Sequence, residues 1–299
     1  MTMRHSLRIH AIGRFPEIDI DEARYSALRA SHRLLSNALS IEEKYQIVLS
    51  NYLDFEKEIA NVAVSEMVIG ASDYADFFDV KLLLNLRLVN LLTAARLYND
   101  QLAGHVAQCM PEVDRKGFAK GILAEHYDRN FEYRFMEALR NHVQHSGTPV
   151  HRVTLGGKRV GENHGLLEYS LYVAAKKSEL EGDRQFKKAI LAEMPDEVDL
   201  VLAARAYVES ISAVHKTVRD TMSGDVKHSR ALLEEAIDEY KGVHRGTVFG
   251  LRARKLENGS VVEDVPILLQ WDDVRIRLES RNNRLVNLRS RYATTRPRS

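Results

Sequence analysis

Cysteine occurs once, at Cys109. A single thiol excludes an internal disulfide and suits a reducing compartment. Beside Met110 it reads as a small buried residue rather than a nucleophile. An excess of charge of one sign is also missing. The 299 residues carry a net charge of +1, so no overall field draws in nucleic acid or anionic lipid, and any basic surface must be local. No apolar run is long enough to span a bilayer. The most apolar stretches, Ile59–Ala71 and Leu82–Ala95, are interrupted by Glu66 and Arg87, and both fall short of the roughly 20 residues that a spanning helix needs. Residues 1–12 are too basic and too polar for the apolar core of a signal peptide. No internal repeat is visible. What remains is 44% apolar and 28% charged residues, the balance of a globular chain expected in the cytoplasm, with no membrane partner.

Helical periodicity dominates. Tyr25, Leu28, Leu35 and Leu39 mark a first helix from about Ile20. Ser40-Ile41-Glu42-Glu43 reads as a capping box that starts a second, whose stripe Tyr45, Val48, Tyr52, Phe55, Ile59 and Val62 runs to about Gly70. Ser72 or Asp73 can cap the next, which Met110-Pro111 ends. Another long helix is expected from near Asp114, through Phe118, Ile122, Tyr133, Met136, Leu139 and Val143, to Gly147 as C-cap, with Pro149 preventing resumption. Pro195-Asp196 opens a helix that Ser223-Gly224-Asp225 should break, and one more passes through Leu233, Ile237 and Tyr240. Long helices joined by short loops pack as an antiparallel bundle.

Two hairpins interrupt this pattern. Leu167, Tyr169, Leu171 and Val173 alternate with polar or partly polar residues, and Val150–Leu155 precedes them across a Gly-rich loop, Gly156–Gly165. Thr247–Leu256 and Val261–Leu269 flank Asn258-Gly259, which favours a type I′ turn. Leu7–Ala11 can add an edge strand. The expected fold is therefore mainly α (α+β), a long-helix antiparallel bundle with a small antiparallel sheet. Its expected divisions are an N-terminal arm over 1–19, a bundle over 20–147 and 183–243, a hairpin insertion over 148–182, a second hairpin over 244–270, and a basic tail over 271–299. From Arg275 on, that tail holds eight arginines, at 275, 277, 281, 284, 289, 291, 296 and 298, against one acid, Glu279. Its end, Ala293–Ser299, is expected to be loose.

Chemistry concentrates in Arg140-Asn141-His142-Val143-Gln144-His145, in the last turn of a long helix. Arginine offers a permanently charged fork of donors that matches phosphate oxygens. Histidine moves protons near neutrality, and the negative end of the helix dipole favours its charged form. At about 100° per residue, Asn141 and His145 are neighbours with Glu137 in their row, whereas Arg140 and His145 lie about 140° apart. Loosening at Gln144–Ser146 would bring the last pair together, or the long arginine side chain would reach around the helix. RNA carries its own nucleophile, the 2′-hydroxyl, so cleavage needs a proton acceptor, a proton donor and charge stabilisation, which two copies facing across a two-fold axis could supply.

Arg140-Asn141 followed after three residues by His145 resembles the signature of the HEPN superfamily. The resemblance implies a helical, metal-independent endoribonuclease working as a homodimer without cofactor, in toxin–antitoxin or phage-defence systems, with an antitoxin or sensor subunit as a further partner. It implies catalytic roles for Arg140, Asn141 and His145. The two hairpins and the tail have no counterpart in it. Arg281, Arg284, Arg289 and Arg291 of the tail are candidate RNA-phosphate contacts, although Trp271 and Tyr292 alone give little for base stacking. Arg4-His5 with His10 repeats the spacing but falls on a strand pattern.

Other signals are weaker. His142, His145, His151 and His164, with Glu137 or Glu162, match no tight zinc motif. His215 interrupts an apolar row and reads as a hydrogen-bonded core residue. Gly156–Gly161 joins strands and lacks the helix that a phosphate-cradling loop requires. The alternative function is a non-catalytic helical module, a dimerisation scaffold or an RNA-binding adaptor.

Overall fold

The computed structural model describes residues 3–70, 73–110, 115–160 and 165–294, the side chains of 115 and 116 apart. The expected helix start near Asp114 and the expected roles of Ser72, Pro111, Glu162, His164, Arg296 and Arg298 lie outside these residues. The order of elements is β1 (Met3–Ile9), β2 (Glu17–Ile20), α1 (Glu22–Val68), α2 (Tyr74–Cys109), α3 (Arg115–Arg129), α4 (Phe131–His145), β3 (Arg152–Val160), β4 (Leu166–Lys176), α5 (Lys177–Glu181), α6 (Lys188–Glu193), β5 (Glu197–Asp199), α7 (Leu200–Val243), β6 (Leu251–Glu257), β7 (Ser260–Pro266) and α8 (Gln270–Arg281). The chain is mainly α with small antiparallel sheets, and no described helix is long and apolar enough to cross a membrane.

Each expected hairpin seeds a sheet of its own. β3 and β4 pair antiparallel and take β5 as a third strand, while β6 and β7 join a four-stranded sheet of order β2-β1-β6-β7. Asn258 and Gly259 both hold positive φ, 49° and 85°, as a type I′ turn demands. Leu7–Ala11 is not an edge strand. β1 begins earlier and lies between β2 and β6, because Leu7 and Ile9 are buried. The Gly-rich stretch is not wholly loop either. Gly156, Gly157 and Lys158 pair with Ser170, Tyr169 and Glu168 inside the hairpin.

Several expected helix boundaries move. Ser40 caps nothing. Leu34, Leu35, Ala38, Ile41, Tyr45 and Val48 bury one uninterrupted stripe, so α1 runs straight through. The Ser40 hydroxyl donates instead to the Ser36 carbonyl at 3.0 Å. Gly70 does stop α1. It takes φ +74°, with its amide bonded back to the Ser65 carbonyl. Ser223-Gly224-Asp225 fails to break α7, because Val218, Met222, Val226 and Leu233 keep helical spacing in the core. The α7 cap is Asp199, whose Oδ1 accepts from the amides of Val201 and Leu202 at 2.8 and 3.0 Å. The helix expected to run from near Asp114 to Gly147 is broken at Asn130, which is extended (φ −118°, ψ 113°). There the Arg134 guanidinium donates to the carbonyls of Tyr127 and Asp128, which end α3.

The chain forms two compact units. One takes the described residues of Met1–Glu43, Gln101–Ala119 and Thr217–Asn283, the other those of Lys44–Asp100, Lys120–Lys216 and Arg284–Ser299. In the first, Asn37 meets His105 and Leu34 meets Cys109. The descending pairing makes α1 and α2 antiparallel there. Cys109 is fully buried, and desolvation pushes its thiol up to about 12, so it stays protonated and unreactive. In the second unit, Tyr45 donates to Ser212 while Glu56 takes a two-pronged bond from Arg205, so α1 and α7 are antiparallel. His215 stacks on Tyr45 at 3.8 Å and lies 3.1 Å from the Tyr98 hydroxyl, a satisfied core histidine.

In the first unit α8 is anchored by Asp272, fully buried, which accepts from Arg275 at 2.6 and 3.0 Å and from Arg230 at 2.6 Å. Removing one member of a buried, hydrogen-bonded charge cluster strands the others in low dielectric. Asp272→Ala is expected to lower stability by about 3 kcal/mol, read as the shift in urea unfolding. A loss below about 0.5 kcal/mol would make the cluster equivalent to a surface pair.

Candidate active site at the end of α4

In the second unit α4 turns Tyr133, Phe135, Met136, Ala138, Leu139 and His142 inward. Glu137 joins them through polar partners. Its carboxylate accepts from Asn99 at 3.0 Å and from the Tyr207 hydroxyl, and lies 3.5 Å from the Arg96 guanidinium. Burial and this carboxylate push the Tyr207 hydroxyl well up, so Tyr207 serves as a fixed donor. The row Glu137, Asn141, His145 then passes from packed to half-buried to exposed toward the helix end.

Arg140 and Asn141 are both half-buried, and Arg140 Nη1 donates to Asn141 Oδ1 at 3.1 Å. His145 is exposed and makes no hydrogen bond or ion pair among the described residues. The helix stays regular through His145, so the loosening expected at Gln144–Ser146 is absent before Ser146. The wheel separation of about 140° between Arg140 and His145 therefore stands. Gly147 does not cap by a left-handed turn; its amide bonds back to the His142 carbonyl at 3.2 Å. What requires glycine there is the imidazole of His142. A Cβ on Gly147 would sit 2.9 Å from Nε2.

His142, treated above only as one member of a loose histidine group, is the buried titratable side chain of this last turn. Its Nδ1 lies 2.7 Å from Asp183 Oδ2, with the two side chains 6% and 5% exposed. Asp183 follows α5 and accepts through Oδ1 from the Gln185 amide at 2.8 Å. The bonds from His142, Gln185 and Ser146 hold its carboxyl below the usual aspartate value, against the opposing effect of burial. A carboxylate at Nδ1 requires the ring proton there, which leaves the Nε2 lone pair free. His142 lines a cleft of about 320 Å³ together with Lys81, Ser146, Thr148, His151 and Glu179. His151 is held neutral. Its Nδ1 accepts the Lys176 amide at 3.0 Å, and burial and then His142 lower its affinity for a proton.

The rings of His142 and His151 approach to 6.1 Å between centres, but His142 Nδ1 and His151 Nδ1 are already engaged. No group of histidine, cysteine or acidic residues that could hold a metal occurs among the described residues. The tail divides differently from its composition. Arg275 is buried against Asp272 and Glu279. Arg281 ends α8, with Nε 3.4 Å from Asn282 Oδ1. Arg284 is exposed, Arg289 pairs with Glu132 at 2.7 Å, and Arg291 lines a cleft with Tyr52, Glu56 and Arg205. The segment around them is fastened to α7. The Leu285 amide donates to Ser212, and those of Asn287 and Leu288 donate to the Glu209 carboxylate. Sequence reasoning missed Asp183, which lies 41 positions from His142 in a short polar turn that no periodicity marks.

The chain matches no protein-family model, no curated protein and no solved structure.

Because the Asp183 carboxyl titrates below its ordinary 3.8 in the folded chain, its contribution is fully present above about pH 4. It is lost as pH falls through the lowered folded value. Asp183→Asn is expected to destabilise the protein at pH 7, with the deficit relative to wild type shrinking below pH 4. Urea unfolding at pH 7 and pH 3 measures this, and a pH-independent deficit would contradict it.

Proposed function

We propose that the chain is a metal-independent endoribonuclease of HEPN type whose site is the C-terminal end of α4. The observation that carries this reading is local. Arg140 and Asn141 are held together on the flank of a regular helix, and His145 stands exposed and unpaired in its last turn. The guanidinium stabilises the pentacoordinate phosphate, His145 moves a proton, and Asn141 orients the ring or the ribose. Within the same unit, Arg284, Arg289 and Arg291 contribute phosphate contacts, of which Arg284 and Arg291 have no carboxylate partner among the described residues. The role that follows is a toxin or phage-defence effector in the cytoplasm, restrained by an antitoxin or sensor subunit.

Because Arg140 and His145 diverge on one helix, the reading calls for a second copy. The second unit offers a surface for it where α1 ends and α2 begins. Val68, Ile69 and Tyr74 are 71%, 85% and 83% exposed, and Phe78, Leu82 and Leu86 extend the patch along α2 in steps of four. Large apolar side chains exposed in a cluster mark an interaction surface. Lys81, between Phe78 and Leu82, also lines the cleft at the α4 end, so a copy docked there borders the motif.

Purified protein is expected to cut RNA in the presence of EDTA, with Arg140→Ala and His145→Ala each reducing the rate by about 100-fold or more while the circular dichroism stays unchanged. RNA binding without cleavage would support the adaptor reading. Phe78→Asp combined with Leu82→Asp is expected to halve the mass measured by light scattering; an unchanged mass would move the dimer contact elsewhere.

A further inference from the structure

We propose that His142, oriented by Asp183, is the general base of the cleavage reaction, and that His145 of the same subunit is its general acid. This rests on the ribonuclease reading and assigns the two proton transfers within it. The pair occupies positions i and i+3 of α4, where β-carbons are about 5–6 Å apart. Their surroundings differ in the sense that separates a base from an acid. His142 is buried, with Nδ1 against a carboxylate that stabilises the imidazolium formed when Nε2 takes a proton. The ring, with Nε2 as its unoccupied nitrogen, lines a cleft together with Lys81 and Thr148, residues whose polar groups suit a phosphate and its ribose. Gly147 keeps that nitrogen reachable, since any larger residue would place a carbon 2.9 Å from it. His145 is exposed in the last turn of α4, where its ring can reach a leaving-group oxygen and exchange its proton with solvent.

The step balances. His142 Nε2 takes the proton of the 2′-hydroxyl, and the oxygen's electron pair forms a bond to phosphorus. The bond from phosphorus to O5′ breaks, and O5′ takes a proton from the His145 imidazolium. A 2′,3′-cyclic phosphate and a 5′-hydroxyl result, and exchange with water restores both rings. Arg140 lies about 160° around α4 from His142, too far to share that phosphate, so the guanidinium comes from the second copy. The groups facing His142 are Asp183 after α5, Glu179 of α5, Lys81 of α2, and His151 before β3.

The test compares an oligoribonucleotide with uridine 3′-(4-nitrophenyl phosphate), whose nitrophenolate departs without protonation. On RNA, His142→Ala and His145→Ala each fall by about 100-fold or more. On the nitrophenyl ester, His145→Ala is expected to recover to within about threefold of wild type, while His142→Ala stays about 100-fold down. Asp183 is a positioning residue. Asp183→Asn is expected to move the acid limb of the kcat/KM profile to lower pH, a change that mere loss of packing would not produce, and it serves if His142→Ala does not fold. His142→Ala cutting RNA at the wild-type rate overturns the assignment and leaves the ribonuclease reading intact, as does failure of the ester to rescue His145→Ala. A wild type that cuts neither substrate removes the reading itself.

Discussion

One short contact, from the His142 imidazole to the Asp183 carboxylate, fixes the end of α4. It joins the helix to a turn 41 residues further along the chain, and both partners are nearly shut off from solvent. A buried carboxylate is tolerated only when its oxygens are hydrogen-bonded. Here one oxygen takes the imidazole and the other a backbone amide. Five residues earlier on the same helix, Glu137 is held by Asn99, Tyr207 and Arg96. α4 is thus pinned by two polar clusters as well as by its apolar stripe. Apolar packing alone tolerates a small rotation of a helix, whereas directional bonds at residues 137 and 142 do not.

Where one face of an element is buried throughout, the sequence announces the element. That held for the α1 stripe beyond Tyr45; the Asn258-Gly259 turn was legible for another reason, since its residue types leave few backbone choices. Boundaries were less legible. The serine at position 40 and the Ser-Gly-Asp at 223–225 carry local stop signals, yet both sit in helices whose buried rows pass through them without a change of phase. Continuous burial outweighs the cost of a capping residue or a glycine in a helix interior, which is about 1 kcal/mol. The opposite error came at Asn130, where the apolar row looks continuous but the chain turns, because Arg134 supplies from a distance the donors that a helix end lacks.

The arginine-rich tail shows how charge and availability part company. Composition marks eight cations from Arg275 on, but the first is buried in a carboxylate cluster and another is paired across to Glu132. Glu209 accepts from two backbone amides and so holds down the segment that displays Arg289 and Arg291. Field strength at a phosphate depends on cations that are held in place and unpaired. The sequence shows their number, and tertiary partners decide how many remain.

The candidate site follows the same logic on a smaller scale. Arg140, Asn141 and His145 were legible because their residue types and spacing were sufficient to suggest phosphate chemistry. His142 was named only among possible metal ligands, since nothing in its neighbours reveals a carboxylate from another part of the chain. Yet a helix converts a spacing of three residues into about 60° of rotation, enough to send one imidazole into a carboxylate-lined recess and leave the other in water. Two copies of one side chain then acquire opposite tasks from their surroundings alone. The ring with a buried anion behind it keeps its proton on Nδ1 and cannot turn away. The solvated ring at the carbonyl end of the helix exchanges protons with water and is free to follow a leaving group. A loop could place two histidines as close together, but it would not hold one of them rigid while its neighbour stays mobile.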